Sequence, residues 1–547
     1  MSALAIRLAC HLTEELFGET VEKVCWFLLE NGASSLQTIA TRTKVPRTEV
    51  KKALCVMINH RIASFESNKK NLVEYSVSVN RCLLLARYPR FIYCAKMLYD
   101  DAGELIVEEI LHGGQMTMTV VLQNVTERLQ KAVGDSKKIE TSMVRGKFIK
   151  LVETRFIQRV PNPESEAVQE ATSDPDVARQ QAALYRLPSF VHDIGTPLGK
   201  RKRDPKEDEA GRRSKRAKTD DLGESEYYID EDILWQANLD RFHQYFRDHE
   251  IVSAALKSNG SLASEIVRTM LRISEVTTDK LEVATTPTSY HDIFRALPAN
   301  LNIDRNKFDQ YLKILTENQT RIVRKVSEAG GRLYDIDLQK GSLAVTLSCI
   351  ESVVQERFGS KSHRIFKLLV LKKYLEHKQI ESNVLIPAKE AKELLYQMFA
   401  EGFVSVQELS KAPDHAPSRT YYPFFVNLDQ VSLQLRERCY KTLANLIARR
   451  KFERNENRRL IDKAQRVEVI AASFKSDGAD ASHIAEIEEM ITPTEQEQLK
   501  NHKTRMAKLE TSELQLDEML FTLENFLSYQ QRVVIVDKSK TKGPNSR

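Results

Sequence analysis

Between Ser34 and Val79 the chain compresses two helical patterns, a proline break and two strand patterns, and few folds accommodate that order. Ser35 is placed to cap a short helix whose apolar side is Leu36, Ile39 and Ala40. Lys44-Val45-Pro46 ends it, because proline has no amide hydrogen to carry the helix on. A second helix follows, with Val50, Ala53, Leu54, Met57 and Ile58 on one face. Ile62 to Phe65 and Leu72 to Val79 read as strands, the second alternating at Val73, Tyr75, Val77 and Val79. The polar run Ser67 to Asn71 turns between them. Helix, turn, helix, hairpin is a winged helix.

The same order recurs. Leu4, Leu8, Leu12 and Leu16 predict an amphipathic first helix, and Val21, Val24, Cys25 and Leu28 a second, which complete the first unit. A linking helix with a break near Pro89 leads to a second unit. Its helices carry Leu105 to Ile110, Met118 to Leu129 and Val144 to Val152, with a strand at Phe156 to Val160. The third opens on a helix bearing Trp235, Leu239, Phe242 and Phe246 and closes on a wing at Ile322 to Leu338. The fourth holds Ile365 to Val370, a turn at Pro387, a helix from Ala388 to Phe399 and a long wing loop from Lys411 to Thr420. Four copies of one element order make an internal repeat of fold rather than of sequence. Val431 to Phe474, free of proline and glycine, predicts one long helix, reversed at Asp477-Gly478. Thr492-Pro493-Thr494-Glu495 is a capping box that starts the return. Leu509, Leu516 and Leu523 lie seven apart, the spacing of a coiled-coil seam. Such a rod serves either to dock another protein or as a strut for the modules.

The expected class is therefore mainly α with small β-wings: four tandem winged-helix domains and an antiparallel coiled-coil hairpin. Their boundaries are 1–80, 81–160, 226–340, 341–428 and 429–533. Residues 161–225, rich in proline and charge, read as a disordered linker, and 534–547 as a disordered tail.

Charge narrows the function. Lys200 to Lys218 contains ten Lys/Arg and four Asp/Glu, and outside it cations and anions are equal in number. A body so balanced limits nucleic-acid contact to local patches. Lys200, Arg201, Lys202 and Arg203, followed by Arg212, Arg213, Lys215 and Arg216, resemble a bipartite nuclear import signal; the alternative is a solvated charge run. The recognition helices of the first two units offer Arg47, Lys51 and Lys52, and Lys137, Lys138, Arg145, Lys147 and Lys150; the first wing adds Lys69 and Lys70. These are candidates for phosphate contacts without base reading, against the alternative of solvated scaffold lysines. In the fourth unit Glu390 and Glu393 match Lys389 and Lys392, which fits a solvated or protein-facing helix.

No stretch approaches a membrane span, and the N-terminus turns acidic too early for a secretory signal. The seven cysteines form no C-x-x-C pair and are expected as buried free thiols. No phosphate loop or metal-spaced His/Cys set occurs, so no cofactor, metal or catalytic residue is expected. His243 and His249 lack cysteine partners, and Asp414, His415 and Ser418 share one loop, whereas a triad draws on separate elements.

Several stretches carry a family likeness: VKKALCV at 50–56, RYPRFIY at 87–93, GELIVEE at 103–109, WQANLDRFHQYFRD at 235–248, ESVVQERFGS at 351–360, IPAKEAK at 386–392 and PDHAPSRT at 413–420. The chain closely resembles the winged-helix subunit of eukaryotic RNA polymerase III, a relative of the α subunit of transcription factor IIE. The resemblance covers almost the whole chain except 161–225 and the tail beyond Arg532. It implies four extended winged helices and a coiled coil in a nuclear, non-catalytic subunit. It implies a three-member subcomplex on the clamp of the largest subunit, which contacts promoter DNA weakly and meets the TATA-protein-containing initiation factor. The implied role is promoter opening and initiation on genes for transfer RNA and 5S ribosomal RNA, with a link to cytosolic DNA sensing in innate immunity. The alternative is a freestanding winged-helix general transcription factor.

Overall fold

The computed structural model describes residues 2–67, 72–133, 140–161, 183–187, 233–278, 281–298, 301, 303–318, 321–327, 332–410, 420–476 and 490–541. The chain is mainly helical with small sheets. The first module runs α2 (Glu19–Asn31), β1 (Ser34–Ser35), α3 (Leu36–Thr43), α4 (Arg47–Asn59), β2 (Ala63–Ser67) and β3 (Val73–Val77). Ser35 caps α3 as expected, its hydroxyl accepting from the Thr38 amide at 3.4 Å. β3 lies between β1 and β2, both antiparallel to it.

That sheet order repeats. In the second module β4 (Met116–Thr117) and β5 (Ile157–Arg159) flank β6 (Leu234–Ala237); in the third β7 (Thr288–Ser289) and β8 (Val323–Ser327) flank β9 (Leu333–Ile336). The fourth reduces the first strand to a bridge between Leu375 and Phe424, beside the short pairs β10 (Ser405–Val406) with β13 (Phe424–Phe425) and β11 (Leu409–Ser410) with β12 (Thr420–Tyr421). A sequence repeat accompanies the fold repeat after all. After each third helix comes a residue at positive φ, namely Arg61, Arg155, Arg321 and Gly402. Two buried apolar residues follow: Ile62-Ala63, Phe156-Ile157, Ile322-Val323 and Phe403-Val404. The left-handed residue turns the chain back so that the next amide reaches the carbonyl five residues earlier, Ile62 to Met57 at 2.8 Å and Phe403 to Met398 at 2.9 Å.

Several expectations are corrected. Trp235 belongs to β6 and not to a helix: it pairs with Arg159 and Met116, and its ring meets Phe148 edge-on at 5.5 Å. The helix α9 (Leu239–Asn259) starts later because Asn238 caps it, accepting from the Arg241 amide. The second module's sheet thus closes across the inserted segment. That segment is not wholly a loose linker, since 183–187 docks on β5: the Arg159 amide donates to the Leu184 carbonyl at 2.9 Å, and Tyr185 bonds Gln158 and Asn238. After the short α5 (Val79–Leu83), Pro89 lies in the first turn of the helix α6 (Tyr88–Gly113) and does not break it, as suits a residue needing no amide partner there; the break falls at Asp100, φ 64. α7 (Met118–Val133) and α8 (Thr141–Glu153) complete the second module.

The chain divides into two compact units, Phe17–Tyr245 and Met1–Leu16 with Phe246–Arg547. In the second of these the third module adds α10 (Ser261–Ser274), α11 (Tyr290–Ala296) and α12 (Arg305–Glu317). The fourth is built on α13 (Leu338–Lys372), which breaks at Gly359, with α14 (His377–Val384) and α15 (Ala388–Ala400). The hairpin arm is two helices, α16 (Leu428–Glu456) and α17 (Arg458–Ser476), interrupted at Asn457 where one was expected. Its return, α18, runs from Pro493 to Thr541, so the helix covers most of the stretch expected as a disordered tail. Thr492 and Glu495 cap it reciprocally as the sequence implied. The first helix, α1 (Ala3–Phe17), buries Ala5, Leu8, Ala9 and Leu12, whereas Leu16 is half exposed. Its acidic end reaches the hairpin: Glu15 pairs with Arg450 at 2.8 Å and Glu14 with Lys451. The sequence reading had placed this helix with the first module.

Candidate nucleic-acid interface

α4 buries Val50, Ala53, Leu54 and Met57, which turns Arg47, Lys51 and Lys52 to solvent on its other side. The turn before it adds two cations that the sequence reading passed over. Arg42 lies in the last turn of α3, and Lys44 is held in the left-handed region at φ 56, two residues ahead of Pro46. Both are exposed. None of the five forms an ion pair among the described residues, and Glu49 is the one acidic residue within α4. The missed signal was position: in a helix-turn-helix, the end of the first helix and the turn border the same surface as the second helix. Lys69 and Lys70 lie outside the described residues.

The second module is less available. Lys147 is half buried, and its Nζ lies 2.7 Å from Asp100 Oδ2. That lysine holds the Asp100 carboxyl below its ordinary range, so the charge of Lys147 is already answered within the chain. Arg145 is also half buried, with Nε enclosed and lacking a hydrogen-bond partner among the described residues. Lys150 alone of the three is exposed. Lys137 and Lys138, like both basic clusters of the import signal from Lys200 to Arg216, lie outside the described residues.

No group of three or more His, Cys, Asp and Glu among the described residues is arranged to hold a metal, and no described helix is long and apolar enough to cross a membrane. His243 is packed in the second module, 3.4 Å from Arg87 and against the Phe91 ring. All seven cysteines are free; five are buried, whereas Cys55 is exposed on α4. Burial pushes the thiols of Cys94 and Cys439 up to about 12 and that of Cys349 to about 11, so these three stay protonated and unreactive near neutrality. Asp414, His415 and Ser418 fall outside the described residues.

Comparison with known proteins agrees with this architecture module by module. Residues 7–68 match the family model described as the RNA polymerase III subunit RPC82 helix-turn-helix domain, and 146–340 that of RNA polymerase III subunit RPC82. Residues 350–426 match the POLR3C C-terminal winged-helix domain. Residues 459–522, which begin just past the Asn457 interruption, match the helical hairpin domain of DNA-directed RNA polymerase III subunit RPC3. The chain is 45% identical to the Homo sapiens protein named DNA-directed RNA polymerase III subunit RPC3 over 533 residues, 96% of this chain and 99% of the relative. The Bos taurus protein of the same name is likewise 45% identical over 530 residues. A Dictyostelium discoideum namesake is 20% identical over 620 residues, 84% of this chain and 93% of that one. Modules in this order, with likeness over nearly the full length of both partners, make the chain a member of the RPC3 (RPC82) family of RNA polymerase III subunits.

Proposed function

We propose that the protein is a non-catalytic subunit that helps RNA polymerase III hold and open promoter DNA on small-RNA genes, those for transfer RNA and 5S ribosomal RNA. In this reading it works in the nucleus within a peripheral heterotrimer on the clamp of the largest subunit and meets the TATA-protein-containing initiation factor. A role in cytosolic DNA sensing belongs to the same reading and rests on the family likeness alone. The observation that carries the DNA contact is the set of five cations at the first helix-turn-helix, Arg42, Lys44, Arg47, Lys51 and Lys52, which form no ion pair among the described residues. Phosphate neutralisation by such a set is independent of base sequence and falls steeply with salt.

The test is charge reversal in the assembled polymerase. Arg47→Glu, Lys51→Glu and Lys52→Glu together are expected to cut promoter-DNA crosslinking to this chain several-fold and to lower the salt slope of binding by about three. Lys147→Glu is expected to do much less, because Asp100 already neutralises that lysine. Crosslinking unchanged by the triple reversal overturns the first module as the DNA contact. Elution of the native chain as a small free species, and not with the polymerase, favours a freestanding factor.

A further inference from the structure

Past the Asn457 interruption the two arms of the hairpin stop filling the space between them. In α16 the seam residues Leu435, Leu443 and Ile447 are buried, whereas Ile461 on α17 and Leu499 on α18 are only half-buried. One cleft of about 730 Å³ opens there. One of its walls crosses the interruption and is formed by Arg454, Arg458, Ile461, Gln465 and Glu468, at spacings of four, three, four and three. The opposite wall on α18 is formed by Leu499, Lys503, Met506 and Glu510, at spacings of four, three and four. These are the heptad spacings by which a helix presents one edge to a neighbouring helix. Two such edges bordering one cleft make a groove shaped for a third helix.

Charge along the cleft is patterned. Glu453 with Arg505 at 3.6 Å and Lys463 with Glu495 at 2.8 Å fix the register of the antiparallel arms. Midway between those pairs Arg458 falls opposite Lys500, so Lys503 is within one turn of it across the cleft. By the same register Glu510 lies toward one end of the cleft and Glu468 toward the other, roughly five turns of helix apart, with Asp462 on the Glu468 side. Arg458, Lys503, Asp462, Glu468 and Glu510 form no ion pair among the described residues, whereas Arg454 is engaged by Glu15 at 3.7 Å. Like charges facing each other across a helix pair repel, so Arg458 and Lys503 call for a carboxylate between them. His502 is buried on the α18 wall, and its enclosed Nδ1 lacks a hydrogen-bond partner among the described residues. Buried polar atoms are ordinarily bonded, so this wall is short of a partner.

We infer that the cleft between α17 and α18 holds one amphipathic helix of another polymerase III subunit, which completes a three-helix bundle. The apolar stripe of that helix covers Ile461, Leu499 and Met506. A carboxylate near its middle meets Arg458 and Lys503, and cations toward its two ends meet Glu510 and Glu468. A nucleic acid fits less well, because the three carboxylates on the rim repel its phosphates. The inference rests on membership in the polymerase, not on the DNA contact of the first module.

The test places the photocrosslinking residue benzoylphenylalanine at Gln465 or at Ala507, both exposed and on opposite walls, in polymerase purified through a tag on a different subunit. The expected result is that both positions crosslink to the same stretch of about 20 residues in one other subunit, the length that spans the cleft as a helix. Yield from either position should fall about tenfold in Arg458→Glu/Lys503→Glu, whose two changes lie on exposed side chains and leave the melting temperature unchanged. Crosslinks from the two positions to different subunits overturn the proposal. So do crosslinks to a second copy of this chain, to nucleic acid or to residues 477–489 of the same chain, and so does silence at both positions. Absence of the chain from the purified polymerase sinks its working as a bound subunit altogether, an outcome read before any crosslinking.

Discussion

His60, at the end of α4, shows what burial does to a single titratable group. Its ring packs at a tilt of 55° on that of Phe17 with centroids 4.6 Å apart, and its Nδ1 lacks a hydrogen-bond partner among the described residues. Burial, helped by nearby His112, lowers its pKa from 6.5 to about 4. The folded state therefore keeps it neutral where the unfolded chain would charge it. Its contribution is complete above pH 6.5 and is lost as pH falls toward about 4, a swing on the order of 3 kcal/mol. Urea melts at pH 7 and pH 4.5 should show this loss in the native chain and a much smaller one in His60→Gln. Glu495 shifts in the same direction for a different reason, stabilisation of the charged form and not burial of a neutral one. Lys463 and the Thr492 cap hold its carboxyl down to about 2, so the capping interaction is present above pH 4.5 and lost below it. Glu495→Gln should differ from the native chain in thermal melting at pH 7 and converge with it near pH 2.

At the scale of elements, the four modules share one ladder order and one exit turn, and their differences lie where another element comes close. Gly32 and Gly114 both follow helices at positive φ, 77 and 79. A Cβ on Gly32 meets open space, whereas one on Gly114 falls 2.7 Å from the Asn59 carbonyl oxygen, backbone that does not yield. Asn59 also donates to the Gly113 carbonyl, so the end of α4 is set against the end of α6. Gly32→Ala is expected to cost about 1 kcal/mol, for the left-handed backbone alone. Gly114→Ala should cost about 2–4 kcal/mol, from the clash as well. Chemical denaturation midpoints of the two variants separate these cases, and equal midpoints would mean that α4 and α6 do not abut as described.

Across the C-terminal unit, residues far apart in the chain meet at Arg450. Its Nη1 holds Glu15 at 2.8 Å and its Nε holds Glu513 at 3.0 Å, so one guanidinium ties α1, α16 and α18. Glu513 is nonetheless raised above the ordinary carboxylate range, because its burial outweighs the arginine. A raised carboxyl costs stability at neutral pH, and the cost fades as pH falls through its pKa. Arg450→Met leaves two carboxylates facing each other, with an expected loss of about 3 kcal/mol at pH 7 that shrinks on acidification. A pH-independent loss in melts would count against this clasp. The same unit threads the end of α18 into the third module: Tyr529 lies in its core with Phe308, Ile336 and Met270, and bonds Arg247 at 3.3 Å. Removal of the whole hairpin therefore exposes that core, and an interaction test on the hairpin must spare the last turns of α18.

Taken alone, the sequence determined the local elements: the caps at Ser35 and Thr492, the proline turns, the apolar faces of the third helices, and hence the repeated module. These depend on backbone chemistry and on periodicity within a dozen residues. Only the tertiary structure decided what those elements pair with. Trp235 fits a helical face as well as a strand until Met116 and Arg159 are seen to flank it. Lys147 resembles Lys51 until Asp100 is found beside it, and Lys389 looks balanced until Lys361 takes its glutamate. Charge availability and strand membership are set by partners far away in the chain, and such pairings leave no trace in local spacing.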